Sequence, residues 1–230
     1  LPPGKDFIVF SFATGLGDLE THAVNTEVLD YLSAYKVKTL VADADHPRMA
    51  VALFNTRAAA YGLRNRWDRE QAAIQSRRLF DQSADQWTEA FLAASTVRQR
   101  GFVDALDFAS PGQLHELGLA AVELLHEQPE LTIVAAKAGL KTGDFELLLQ
   151  SIAHGGGPAL PGLLMDASRE LNAQDSALLL KRVLSTGSES NAALAIAQLA
   201  PGRMDQPEVQ DMLFTVLADK DLGSAAALVL

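Results

Sequence analysis

Apolar and polar positions change rhythm twice along the chain. Phe7-Ile8-Val9-Phe10-Ser11-Phe12 is a short aromatic and β-branched run closed by Thr14-Gly15-Leu16-Gly17, which predicts a buried strand. A strand needs a backbone partner. Val37-Lys38-Thr39-Leu40-Val41 is the nearby candidate, and that stretch equally well continues a helix begun at Glu27. Without a partner, residues 1–25 would form an extended arm.

From Asn25 the period becomes helical. Asn25 or Thr26 can cap a helix at Glu27 whose apolar stripe is Val28, Leu29, Tyr31, Leu32 and Tyr35. Asp43-Ala44-Asp45-His46-Pro47 reads as a turn with Pro47 at a first helical position. The next helix is expected from Arg48 to Ala60, stopped by Gly62. Two more polar helices follow, Asp68 to Phe80 and Ser83 to Arg98, with Trp67, Phe80, Trp87, Phe91 and Leu92 as core anchors.

Ser110-Pro111-Gly112 is the clearest break, and after it the helical stretches shorten and become evenly spaced. They are predicted near 112–126, 129–139, 144–154, 158–171, 174–185, 189–200, 206–218 and 222–230. Leu147-Leu148-Leu149-Gln150-Ser151-Ile152-Ala153 aligns with Leu178-Leu179-Leu180-Lys181-Arg182-Val183-Leu184 at an offset of 31, and Asp211 to Leu217 follows 33 further on. Each copy precedes a turn and an Ala-rich helix. A drifting period of this length marks stacked helical pairs, none of which buries its apolar face alone.

These repeated units over residues 112–230, and more loosely residues 26–62 with the acidic turn, Pro and Arg of Leu40–Ala59, resemble HEAT repeats. The resemblance implies an all-α fold, an α-solenoid of six or seven stacked antiparallel helix pairs, preceded by the short strand or arm. The expected organisation is an N-terminal strand or arm over 1–25, longer helices over 26–110 and the repeats over 111–230. It also implies a scaffold that binds a protein or peptide along one face. The polar, repeat-aligned positions Gln150, Lys181, Arg182 and Asp211 are the expected contacts. Related HEAT-like proteins include bilin lyases, so a cofactor pocket lined by Tyr31, Tyr35, Trp67 and Trp87 is the enzymatic alternative.

Composition sharpens this picture at three points. The 230 residues are 48% hydrophobic and contain no cysteine, which removes disulfides, thiolate metal sites and cysteine nucleophiles. No apolar run reaches the ~18–20 residues that span a bilayer. Residues 1–100 carry 12 Lys/Arg and 12 Asp/Glu, whereas residues 101–230 carry 7 and 17, so the whole net charge of −10 lies in the repeat half. That field disfavours nucleic acid and suits a basic protein partner. The start Leu1-Pro2-Pro3-Gly4 lacks Met and fits a processed, exported chain. The final Ala225-Ala226-Ala227-Leu228-Val229-Leu230 lacks a stop signal and suggests a continuing array or a capping partner.

The remaining motifs have plain readings. His154-Gly155-Gly156-Gly157 resembles an esterase oxyanion loop, but no Gly-x-Ser-x-Gly nucleophile turn accompanies it, so it reads as an inter-helix turn. Gly15-Leu16-Gly17 lacks the third glycine of a dinucleotide fingerprint, with Glu20 in its place. Asp43, Asp45 and His46, with Asp18, Glu20 or His22, could hold a divalent cation, yet capping by Asp beside Pro is the simpler role. No metal or other cofactor is called for. Arg57, Arg64, Arg66, Arg69, Arg77 and Arg78 with Tyr61 and Trp67 form a basic cluster. Arg64, Arg66 and Trp67 are its candidate docking residues, although Asp68 and Glu70 interrupt it and Glu70 can pair along the helix with Arg77 or Arg78.

Overall fold

The computed structural model describes residues 2–19 and 26–230, and the chain is predominantly α-helical. It divides into two compact units, one of residues 1–75 and 94–102, the other of residues 76–93 and 103–230. The capping and metal roles considered for Glu20, His22 and Asn25 lie outside the described residues.

The first unit corrects the N-terminal expectation. Helix α1 (Pro2–Gly15) takes the place of the strand or arm expected there. A short apolar run does not discriminate strand from helix by periodicity, and Pro3 is tolerated in a first helical turn. The helix buries Ala13 and Asp6 and leaves Phe7, Ile8 and Phe12 more than half exposed. Gly15 therefore ends a helix, and Leu16 is buried in the 3-10 turn that continues it.

Helix α2 (Thr26–Ala34) forms as expected, but the helix expected from Arg48 does not. Strands β1 (Leu40–Ala42) and β2 (Ala50–Ala52) pair antiparallel with Val41 opposite Val51. Asp43 closes the loop between them, its Oδ1 accepting from the N–H groups of Asp45 at 2.9 Å and His46 at 2.8 Å. An Asx turn uses the same acidic residues as a helix cap, which is why this turn misread as a helix start. Helix α3 (Thr56–Leu79) begins only after Asn55, whose Oδ1 accepts from Ala58 N at 3.0 Å. It runs through Gly62 and contains the segment expected as a separate helix from Asp68.

Leu16, Leu29, Leu32, Ala60, Leu63 and Trp67 form the core of this unit with Ala13. Asp6, only 1% exposed, ties α1 to the chain after α2. Its carboxylate accepts from Tyr35 Oη at 2.9 Å, Lys38 N at 3.0 Å, Thr39 N at 2.7 Å and Thr39 Oγ1 at 2.6 Å. The Thr39 hydroxyl bond is the largest influence on its charge. It outweighs burial and, with the Tyr35 and backbone donors, holds the carboxyl down to about 2. The hydrogen bond that Tyr35 donates to Asp6 raises the Tyr35 phenol.

In the second unit, α4 (Ala84–Leu92), α6 (Pro111–Leu124), α8 (Phe145–His154), α10 (Ala173–Thr186) and α12 (Pro207–Val216) pack in succession as one row. Helices α7 (Thr132–Thr142), α9 (Leu160–Glu170), α11 (Glu189–Leu199) and α13 (Gly223–Val229) form a second row, joined to the first through α6–α7, α7–α8, α10–α11 and α12–α13. Helix α5 (Thr96–Ala105) enters the unit at Val103. The stretch expected as one helix from Ser83 to Arg98 is thus broken between α4 and α5. From residue 111 onward every helix falls within a few residues of its predicted place.

Three of the aligned apolar positions share their burial. Leu148, Leu149 and Ile152 match Leu179, Leu180 and Val183, and all six are at most 3% exposed. Trp87 and Phe91 stack at 5.5 Å, with Trp87 Nε1 donating to Ser76 Oγ at 2.8 Å. Gly139 permits α7 and α8 to touch, since a Cβ there would lie 2.7 Å from Leu148 N.

Helix starts are capped locally. Ser83, Ser110, Asp144, Asn172 and Ser188 each accept from a backbone N–H three residues on, and Ser110 with Gln113 completes a capping box. Several helix ends are capped from a distance. Gln113 Nε2 donates to Phe80 O at 3.1 Å, just past α3. Lys137 Nζ reaches Val103 O in the last turn of α5 at 3.0 Å. Asn191 Nδ2 lies 2.9, 3.1 and 2.9 Å from the carbonyls of Ile152, Ala153 and Gly155 at the end of α8. Arg203 Nη2 lies 3.0 Å from both Ser168 O and Leu171 O at the end of α9. All these partners are between 32 and 39 residues apart, close to the sequence repeat.

Two outcomes are expected. Asn191→Ala leaves buried carbonyls at the end of α8 without a donor, and urea unfolding should show a loss of about 2 kcal/mol. Because the Asp6 carboxyl lies below its ordinary 3.8, its contribution is complete above that value and is lost as pH falls towards about 2. Acid unfolding of the first unit, followed by Tyr fluorescence and NMR, should lose that pH dependence in Asp6→Asn.

Candidate functional site

A cleft of about 430 Å³ opens in the second unit among the end of α5, α7 and α9. Its apolar surface comes from Val103, Ile133, Leu140 and Leu163, and its charged rim from Asp107, Lys137, Lys141, Asp166 and Glu170. Two helical faces build it. Ile133, Lys137, Leu140 and Lys141 share one side of α7, and Leu163, Asp166 and Glu170 share one side of α9.

One wall is organised by Asp107. Its Oδ1 pairs with Lys137 Nζ at 3.0 Å and Lys141 Nζ at 2.9 Å. Partial burial pushes the Asp107 carboxyl up. The hydrogen bonds and charges of Lys141 and Lys137 outweigh that and hold it below the usual carboxylate range. Lys137 also donates to Val103 O, so the ammonium that caps α5 fixes the cleft wall. On the other wall Asp166 and Glu170 are exposed. The arrangement offers apolar surface for a chain stem, a partly neutralised cationic wall and an acidic wall, the mixture expected of a recognition cleft.

The residues expected from the sequence lie elsewhere. Gln150 Nε2 donates to Glu146 Oε1 at 2.8 Å, and Arg182 Nη2 stands 3.9 Å from Glu146 Oε2, so α8 and α10 share a polar cluster. Lys181 and Asp211 are exposed on α10 and α12. All four belong to the first helix row, whereas the cleft draws on α7 and α9 of the second. In the first unit Arg64 pairs with Asp30, Arg66 donates to Gly17 O and pairs with Glu70 at 3.0 Å, and Arg57 covers the Tyr61 ring at 5.5 Å. Trp67 is 6% exposed within that unit's core, so it anchors packing and offers no docking surface.

Of the four aromatics considered for a cofactor pocket, Tyr31 and Tyr35 lie side by side with ring centroids 6.4 Å apart. Trp67 and Trp87 are buried in the cores of different units, and Tyr31 is 63% exposed. The glycine loop after His154 is a packed turn. Gly155 N donates to Ser151 O at 3.0 Å and Gly156 N to Thr132 Oγ1 at 2.9 Å. A Cβ on Gly155 would lie 2.1 Å from Ser151 O.

Compared with known proteins, the chain matches no family model, no curated protein and no solved structure.

The cleft residues were missed because their sequence signal is ordinary. Lys137 with Lys141 and Asp166 with Glu170 are like-charged pairs at i, i+4, a spacing common on solvated helix faces. Only packing brings α7 and α9 to one opening. Asp107→Asn should release both lysines, and because the pair is half exposed the loss in urea unfolding should stay under about 1 kcal/mol.

Proposed function

We propose that the chain is a non-enzymatic HEAT-like scaffold whose second unit holds a protein or peptide segment in the cleft on its α7–α9 row. The observation that carries this reading is the cleft, where apolar surface and charges of both signs meet on rigid helices. Two further features support the helical-pair array. The helices alternate between two rows, and side chains about one repeat further on cap earlier helix ends. Stacked repeats of this kind present extended binding surfaces, and this part of the argument is by analogy of fold. The negative field of residues 101–230 would speed encounter with an oppositely charged partner.

The test is peptide selection followed by mapping. Peptides selected from a random display library on the purified chain should cross-link to a photoreactive residue introduced at Leu140. They should also lose at least about tenfold in affinity in Ile133→Arg, a variant whose helicity is checked by circular dichroism. Phe214→Ala, on α12, should bind normally. Selected peptides that cross-link only outside the cleft, or a library that yields no binder, would contradict the reading.

A further inference from the structure

Resting on that reading, we infer that the cleft takes a basic segment. An Arg or Lys side chain of the partner lays its methylene stem on Val103, Ile133, Leu140 and Leu163 and sets its cationic head between Asp166 and Glu170.

The charges around the cleft are unequal in kind as well as number. Three carboxylates face two ammonium groups. Both ammonium groups already share Asp107 Oδ1, at 2.9 and 3.0 Å. An incoming anion would therefore meet the Asp107 carboxylate beside both ammonium groups, and that like charge weakens their hold on it. The opposite wall differs. Asp166 and Glu170 make no hydrogen bond or ion pair with the described residues. One helical turn apart on α9, they repel each other mildly, and a cation placed between them removes that repulsion.

The shape selects the same class. A cleft of about 430 Å³ with an apolar floor and acids at its rim is amphipathic in the same sense as an extended Lys or Arg side chain, which buries its stem and keeps its head at the edge. Arg is the better fit, because its planar fork can bond two carboxylates at once. The excess negative charge of residues 101–230 favours the same sign of partner at longer range.

The test uses three fluorescein-labelled decapeptides of one frame, Leu residues flanking a central Arg, citrulline or Glu, with fluorescence anisotropy on the full chain. The Arg peptide should bind at least about tenfold tighter than the citrulline peptide, the Glu peptide should be weakest, and the Arg preference should shrink with added salt. Asp166→Asn with Glu170→Gln, both exposed, should abolish the Arg preference. Equal binding of Arg and citrulline peptides, or the same Arg preference in the double variant, would overturn the basic-segment inference and leave the cleft reading standing. Preference for Glu would also overturn it and assign recognition to Lys137 and Lys141. Failure of all three peptides would overturn it too, and the library selection then decides whether the cleft reading survives.

Discussion

An α-helix leaves its last four carbonyls without backbone donors, and an array of short helices has many such ends close to its interior. In this protein several of them are answered by a side chain from about one repeat further along. Asn191 serves the end of α8, Arg203 the end of α9, Lys137 the end of α5 and Gln113 the end of α3. Leucine and alanine fill the space between helices, but apolar contact is not directional. The long-range caps supply direction, since each fixes where one helix stops relative to a particular later residue. At the buried Asn191 cap, losing the donor leaves carbonyls with no water to replace it, so its removal costs more than one ordinary hydrogen bond contributes.

The same interaction builds the cleft. Lys137 reaches the end of α5 and, with Lys141, holds Asp107, which leaves a partly neutralised wall over an apolar floor. The acidic wall belongs to α9, whose end is held by Arg203. The recognition surface is thus made of side chains positioned by the contacts that order the helices. The first unit is held differently, by one buried carboxylate on α1 that collects four donors from the Tyr35–Thr39 segment.

Much of the second unit was legible in the sequence. Its helices after Ser110 lie where periodicity and turn residues put them, because α6, α8, α10 and α11 carry side-chain N-caps, α9 and α12 have Pro in their first turn, and the helices bury apolar stripes. The first unit was less legible. Phe7 to Phe12 reads as a strand on composition, and Asp43 to Pro47 reads as a helix start, because an Asx turn and an N-cap use the same chemistry. The cleft was not legible. Its charged residues sit at common helical spacings, and the fact that α7 and α9 share a face is a property of packing. The polar repeat positions Gln150, Lys181, Arg182 and Asp211 drew attention by their alignment, which is a property of the first row alone.

The most direct test of the long-range caps is site-resolved native-state hydrogen exchange on Arg203→Leu and Lys137→Met. If the caps set where the helices end, Arg203→Leu will speed exchange in the last turn of α9, more than thirty residues before the substitution, and Lys137→Met will do the same at the end of α5. Faster exchange confined to residues 200–206 in the first variant and to α7 in the second would contradict the account.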